Sequence, residues 1–182
     1  MISESTIDGC KRKEQVAYSE CYKKTAPYVY SIISQYIKNK DFIKDAMQET
    51  YAQVFLSIDK YEKSRGSFKS WLSTIAVRQS INVLRKHMST LDLSPLNENQ
   101  NIYQPVSDDI YSLDADNFNE LIADMPTGYR TSILLFYLEG FTHKEIASKL
   151  DISINTSKSQ LHRGLAWLKK NVSQHLKEYT HG

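Results

Sequence analysis

Glycine, proline and cysteine are scarce: six, four and two in 182 residues. With so few helix breakers, and many Lys, Glu, Gln, Ile and Leu residues, the composition favours an all-α fold. The two thiols, Cys10 and Cys21, lie near one end. They have neither metal-ligand spacing nor partners for a disulfide framework, so they read as incidental reduced cysteines. No apolar run approaches the roughly 20 residues that cross a bilayer. The first residues, MISESTIDGCKRKEQ, lack the apolar core of a secretion signal. A cytoplasmic location is the expectation. Catalytic signatures are missing too: there is no Gly-rich phosphate loop, no paired His ligands and no nucleophile–base spacing. His87, His143, His162, His175 and His181 are scattered. The chain does not read as an enzyme, and no cofactor or metal is implied. The one enzymatic alternative, a helical nuclease holding a metal on Asp45 and Glu49, predicts metal-dependent cleavage of DNA.

What is present is an uneven charge. Residues 1–88 carry 15 Lys/Arg against 9 Asp/Glu, a balance of +6. Residues 89–117 carry six acids and no base, −6, and residues 118–182 carry 8 bases against 6 acids, +2. Two basic blocks flanking an acidic connector suit a duplex-binding protein with a separate anionic tether. The connector, Ser89 to Asp116, holds Pro95 and Pro105 with several Asn and Ser and no sustained helical period. It reads as a flexible acidic linker over 89–116, joining two small helical domains at 1–88 and 117–182.

In the first domain the spacing predicts a helix over Tyr18–Lys38, with Tyr22, Val29, Ile32, Ile33 and Tyr36 available for a core and Pro27 a possible kink. A second helix, capped by Asp41, runs to about Ser57 on Ile43, Met47, Tyr51, Val54 and Phe55, with Asp45, Gln48, Glu49 and Ala52 grouped on another face. After the turn Arg65-Gly66-Ser67, a third helix runs from Phe68 to about His87. Trp71, Arg78, Asn82 and Arg85 form a stripe beside its core residues, the last three at i, i+4 and i+7.

In the second domain Phe118–Met125 reads as a short helix, and Pro126–Glu139 as a helix begun by Pro126 and stopped by Gly140. From Phe141 to Lys170 the pattern is a helix-turn-helix. Thr142 and Glu145 make a capping box. Ile146, Ala147 and Leu150 form one buried face, the chain breaks at Leu150-Asp151-Ile152, and Ser153 caps the second helix. Leu161, Leu165, Leu168 and Val172 form its buried stripe. Asn155, Thr156, Lys158, Ser159, His162 and Arg163 fall mostly off that stripe, near the end where a recognition helix meets base edges.

Asp45-Ala46-Met47-Gln48-Glu49-Thr50-Tyr51, then Arg65-Gly66-Ser67-Phe68-Lys69-Ser70-Trp71-Leu72 and the helix Ile75–Lys86, resemble region two of sigma-70 family transcription initiation factors. Met125-Pro126, Tyr129-Arg130, Leu134-Leu135, Glu139-Gly140 and the helix-turn-helix resemble region four. With only those two regions, the chain resembles the extracytoplasmic-function (ECF) subgroup.

The resemblance implies a factor that binds core RNA polymerase, directs it to promoters and starts strand opening. It implies that Asn155, Thr156, Lys158, Ser159, His162 and Arg163 meet the minus-thirty-five element. Ser64, Arg65, Phe68, Lys69, Trp71, Arg78, Asn82, Arg85 and Lys86 would recognise and melt the minus-ten element. Asp45, Gln48 and Glu49 would dock on the clamp coiled coil of the polymerase, whose flap would also be contacted. The acidic linker would thread near the nascent RNA, and an anti-sigma factor is a common partner. Two positions depart from the family pattern: Ser157 stands where an apolar residue is usual, and Gln160 where an arginine is. They bear on which DNA sequence is read. The rival reading is a helix-turn-helix regulator acting without joining polymerase, whose N-terminal half would be an α/β receiver domain.

Overall fold

The computed structural model describes residues 2–87 and 121–179, with side chains up to residue 172. The connector and the start of the Phe118–Met125 helix lie outside these residues. Every regular element described is helical, and the chain divides into two compact units, Met1–Lys86 and His87–Gly182. No described helix is long and apolar enough to cross a membrane.

The first unit contains α1 (Glu4–Lys11), α2 (Gln15–Tyr36), α3 (Lys40–Ser57) and α4 (Phe68–Lys86), with single 3₁₀ turns at Ile58–Lys60 and Lys63–Arg65. Periodicity alone does not disclose α1. Its start is capped by Ser3, whose hydroxyl accepts from the Thr6 amide, and Ile7 and Cys10 face inward. Cys10 and Cys21 are fully buried free thiols on adjoining helices, and burial pushes Cys21 up to about 12. That holds both as inert thiols.

Pro27 does not break α2, which runs through it unbroken. The cap of α3 is Asn39 rather than Asp41: the Asn39 side chain accepts from the amides of Asp41 and Phe42. Both residue types suit a cap, and the one that precedes the first turn takes the role. Tyr22 also departs from expectation. It is exposed and covers Tyr51 from outside, ring centroids 4.6 Å apart. Val29, Ile33, Tyr36, Val54, Leu72 and Leu84 form the centre of the core instead.

The second unit contains a helical turn at residues 121–124, then α5 (Thr127–Ile133), α6 (His143–Leu150) and α7 (Ile154–Tyr179). The expected single helix from Pro126 to Glu139 changes type: α5 widens into a π turn over Leu134–Leu138. The Glu139 amide bonds back five residues to the Leu134 carbonyl, and the Phe141 amide to the Leu135 carbonyl. Gly140, at φ +72°, permits that reversal.

A close crossing joins α5 to α7. A Cβ on Gly164 would lie 2.8 Å from Ile133 Cδ1 and 3.3 Å from Tyr129 Cβ. Gly164→Val should therefore destabilise this unit by about 1–3 kcal/mol, the usual penalty of overpacking. In calorimetry its melting should drop by roughly 5–20 °C. An unchanged melting temperature would mean that the helices can part at no cost.

Candidate nucleic-acid and polymerase interface

Thr142 and Glu145 form the expected capping box at the start of α6. The Glu145 amide donates to Thr142 Oγ1 at 3.3 Å, and the Thr142 amide donates to Glu145 Oε2 at 2.9 Å. The Thr142 amide, and then the Thr142 hydroxyl donating at 2.8 Å, hold the Glu145 carboxyl below the usual range. The break between helices is Asp151, left-handed at φ 56° and ψ 48°, and the Ile152 amide bonds to the Ala147 carbonyl. Ser153 caps α7 by accepting from the Thr156 amide at 2.9 Å.

The orientation of α7 follows from what it buries. Ser157, Gln160, Leu161, Gly164, Leu168 and Val172 face inward, while Leu165 is only half-buried. Asn155 and Lys158 are exposed, and Ser159, His162 and Arg163 half-buried. Asn155, Lys158, Ser159 and His162, at i, i+3, i+4 and i+7, therefore make one outward face. Thr156 is partly committed to the cap, its hydroxyl 2.8 Å from Ser153 Oγ.

Ser157 and Gln160 are core residues, and burial at 157 suits a position where the family pattern has an apolar side chain. Ser157 Oγ is 3.0 Å from His143 Nδ1, a bond that ties α7 to α6. Burial, and then the Lys158 charge, lower the His143 pKa. The Gln160 amide is fully buried and makes no hydrogen bond among the described residues, which costs about 1–3 kcal/mol. Arg130 is buried as well and donates to the Ala123 carbonyl at 3.3 Å. Desolvation brings it down to about 10, leaving it charged at neutral pH.

In the first unit, Ser64 and Arg65 occupy an exposed turn, and Arg65 pairs with Glu62 at 2.8 Å. Gly66 follows at φ 150° and ψ 174°, a conformation essentially reserved for glycine. Phe68 is buried and Trp71 half-buried. Both rings pack on Tyr61, with centroids 5.3 and 5.5 Å away. Phe68 thus supports the surface from beneath. Tyr61, which pattern reading missed, is the hub of this aromatic cluster. Lys69 lies over the Tyr28 ring, 4.8 Å from its centroid.

Along α4, Arg78 and Arg85 are exposed and Asn82 half-buried, its amide donating to Gln79 Oε1 at 3.0 Å. They form one stripe with Trp71 at its start. On α3 the residues Asp45, Gln48, Glu49 and Ala52 are all exposed, and Leu56, 79% exposed, extends the strip. The two surfaces meet at an ion pair of 3.6 Å between Lys86 and Glu49. Among the described residues no group of His, Cys, Asp and Glu gathers to hold a metal ion. The α/β receiver domain that the rival regulator requires is not what the first unit is: its regular elements are helices.

Residues 21–90 match the family model for Sigma-70 region 2, and residues 115–168 that for Sigma-70, region 4. The ECF RNA polymerase sigma factor SigW of Bacillus subtilis is 26% identical over 94% of this chain and 97% of its own length. The ECF RNA polymerase sigma factor SigE of Mycolicibacterium smegmatis is 26% identical over 89% of this chain, which spans 64% of that longer relative. The solved structure of CnrH in complex with the cytosolic domain of CnrY aligns with TM-score 0.46 and 15% identity, covering 93% of this chain and 96% of that one. The chain belongs to the sigma-70 family, in the ECF subgroup of polymerase-binding, promoter-specific initiation factors.

Proposed function

We infer that this chain joins core RNA polymerase in the cytoplasm through the α3 strip at Asp45, Gln48 and Glu49. The outward face of α7 then sits on the minus-thirty-five duplex. The turn at Ser64–Arg65 and the α4 stripe of Trp71, Arg78, Asn82, Arg85 and Lys86 capture the minus-ten strand as it opens. It acts by binding rather than by catalysis. Inhibition by an anti-sigma factor belongs to the same reading. The observation that carries it is the pairing of both sigma regions, in order, with exposed polar faces at the matching positions.

Strand opening needs groups that replace base stacking and neutralise phosphate, because each unstacked step costs a few kcal/mol. A half-buried tryptophan followed by arginines and an amide on one helix face supplies both. The decisive experiment combines the purified chain with core polymerase on genomic DNA and maps start sites. Initiation at discrete sites is the expected result, and none at all would refute the reading. In the same system Arg78→Ala with Asn82→Ala should lower permanganate reactivity of promoter thymines by about tenfold, the loss of a charge-assisted contact. Closed-complex formation should stay within about twofold. Equal losses in both steps would reject the melting role.

A further inference from the structure

The exposed turn that carries Ser64 and Arg65 follows α3 and is held by few bonds. Two come from its own backbone: the Arg65 amide donates to the Glu62 carbonyl and the Gly66 amide to the Lys63 carbonyl. A third is the Tyr61 hydroxyl, which donates to the Gly66 carbonyl at 3.2 Å across the turn. The Arg65–Glu62 ion pair is a fourth, and two further links come from α1, the helix absent from the sequence reading. Lys11 Nζ donates to the Tyr61 carbonyl at 3.0 Å, and Glu4 pairs with Lys63. Ile7, Lys11, Tyr61, Lys63 and Phe68 line one cleft between α1 and the turn, about 610 Å³ in volume.

Of the two links from α1, the Glu4–Lys63 pair is the weaker, since both side chains are mostly exposed. The Lys11 bond is partly buried and charge-assisted, hence the stronger. Tyr61 receives it on its carbonyl while its buried ring sits against Phe68 and Trp71. One residue thus connects α1, the turn and the first residues of α4.

We propose that α1 braces this turn: Lys11, acting through the Tyr61 carbonyl, and Tyr61, acting through the Gly66 carbonyl, hold Ser64 and Arg65 in the shape that discriminates minus-ten bases. Both are specificity-determining positioning residues that touch no base themselves. The proposal rests on the minus-ten role given to this turn under Proposed function. Its physical basis is that a reading surface on a short glycine-hinged turn discriminates only as sharply as its supports confine it.

The test uses holoenzyme reconstituted from the full chain and a promoter library randomised across the minus-ten element. Lys11→Met keeps the aliphatic stem and removes the donor; Tyr61→Phe keeps the ring and removes the hydroxyl. Each should cut the ratio between best and singly altered minus-ten sequences by about fivefold, the value of one hydrogen bond. Hydrogen exchange at amides 62–67 should rise in both, and Lys11→Arg should restore the ratio. Core affinity and minus-thirty-five binding should stay within about twofold of wild type. An unchanged ratio in both variants overturns the proposal. So does an equal loss on every sequence, as a merely weakened domain would give. Wild type that initiates on the best sequences but ignores minus-ten changes would defeat the assigned role of the turn, and the brace with it. Wild type that discriminates while both variants match it defeats the brace alone.

Discussion

Lysine at positions 45 and 49 together should weaken binding to core polymerase by roughly ten- to a hundredfold, about 1.5–3 kcal/mol, as expected when charge complementarity at a docking face is inverted. DNA binding by the second unit should not change. The Glu49–Lys86 ion pair makes this experiment sharper than a simple reversal. Glu49→Lys removes the partner of Lys86 and sets two cations side by side, so part of any loss could come from the domain itself. Both side chains are more than half exposed, so the pair contributes only about 0–1 kcal/mol. Adding Lys86→Glu to Glu49→Lys restores the pair in reverse while leaving α3 inverted. If the docking reading holds, the swap leaves core affinity low. Recovery would mean that the ion pair, not the face, was being measured. Titration of core with labelled protein at two salt concentrations decides between them.

The elements legible in the sequence were those specified by nearby residues. The capping box of Thr142 and Glu145, the cap at Ser153 and the extent of α4 are set within one turn of chain, and the structure has them as the pattern predicts. Caps are less certain where two suitable residues stand close together, as Asn39 and Asp41 do. The π turn at Leu134–Leu138 has no sequence mark, because the same apolar run fits an α-helix equally well. The burial of Ser157 and Gln160 is legible in their spacing but not in their polarity. Positions 157, 160, 161, 164 and 168 follow the i, i+3, i+4, i+7, i+11 stripe, so spacing alone placed them inward. The polarity of Ser157 and Gln160 keeps them out of the buried stripe expected from Leu161, Leu165, Leu168 and Val172. Tyr61 was out of reach of any periodic pattern. Its importance comes from Lys11, fifty residues earlier, and from a carbonyl five residues later.

That burial pattern also determines what the recognition helix can present. With Ser157 tied to His143 and Gly164 against Ile133, α7 cannot rotate about its axis without breaking both contacts. Lys158 therefore sits at the middle of the outward face and Arg163 at its flank. Lys158→Ala with Arg163→Ala should lower affinity for a minus-thirty-five duplex by roughly ten- to a thousandfold, combining two contacts of about 1–3 kcal/mol. If both side chains meet phosphate, the slope of log affinity against log salt should become shallower by about two. If one of them reads a base, that slope should change by only about one, and preference should relax at a single promoter position.

The nearby histidine supplies an internal control for the fold. Lys158 is one cause of the lowered His143 pKa, after burial, so its removal should let that pKa move back up. A histidine whose folded pKa lies below its unfolded value favours the folded state when neutral, so this contribution to stability is lost as pH falls below the usual histidine range. In the double variant that acid sensitivity should lessen while neutral-pH stability holds. NMR titration of the His143 ring and gel shifts at several salt concentrations read both effects. Full affinity for the upstream duplex in the double variant would move the DNA contact to another surface of the second unit.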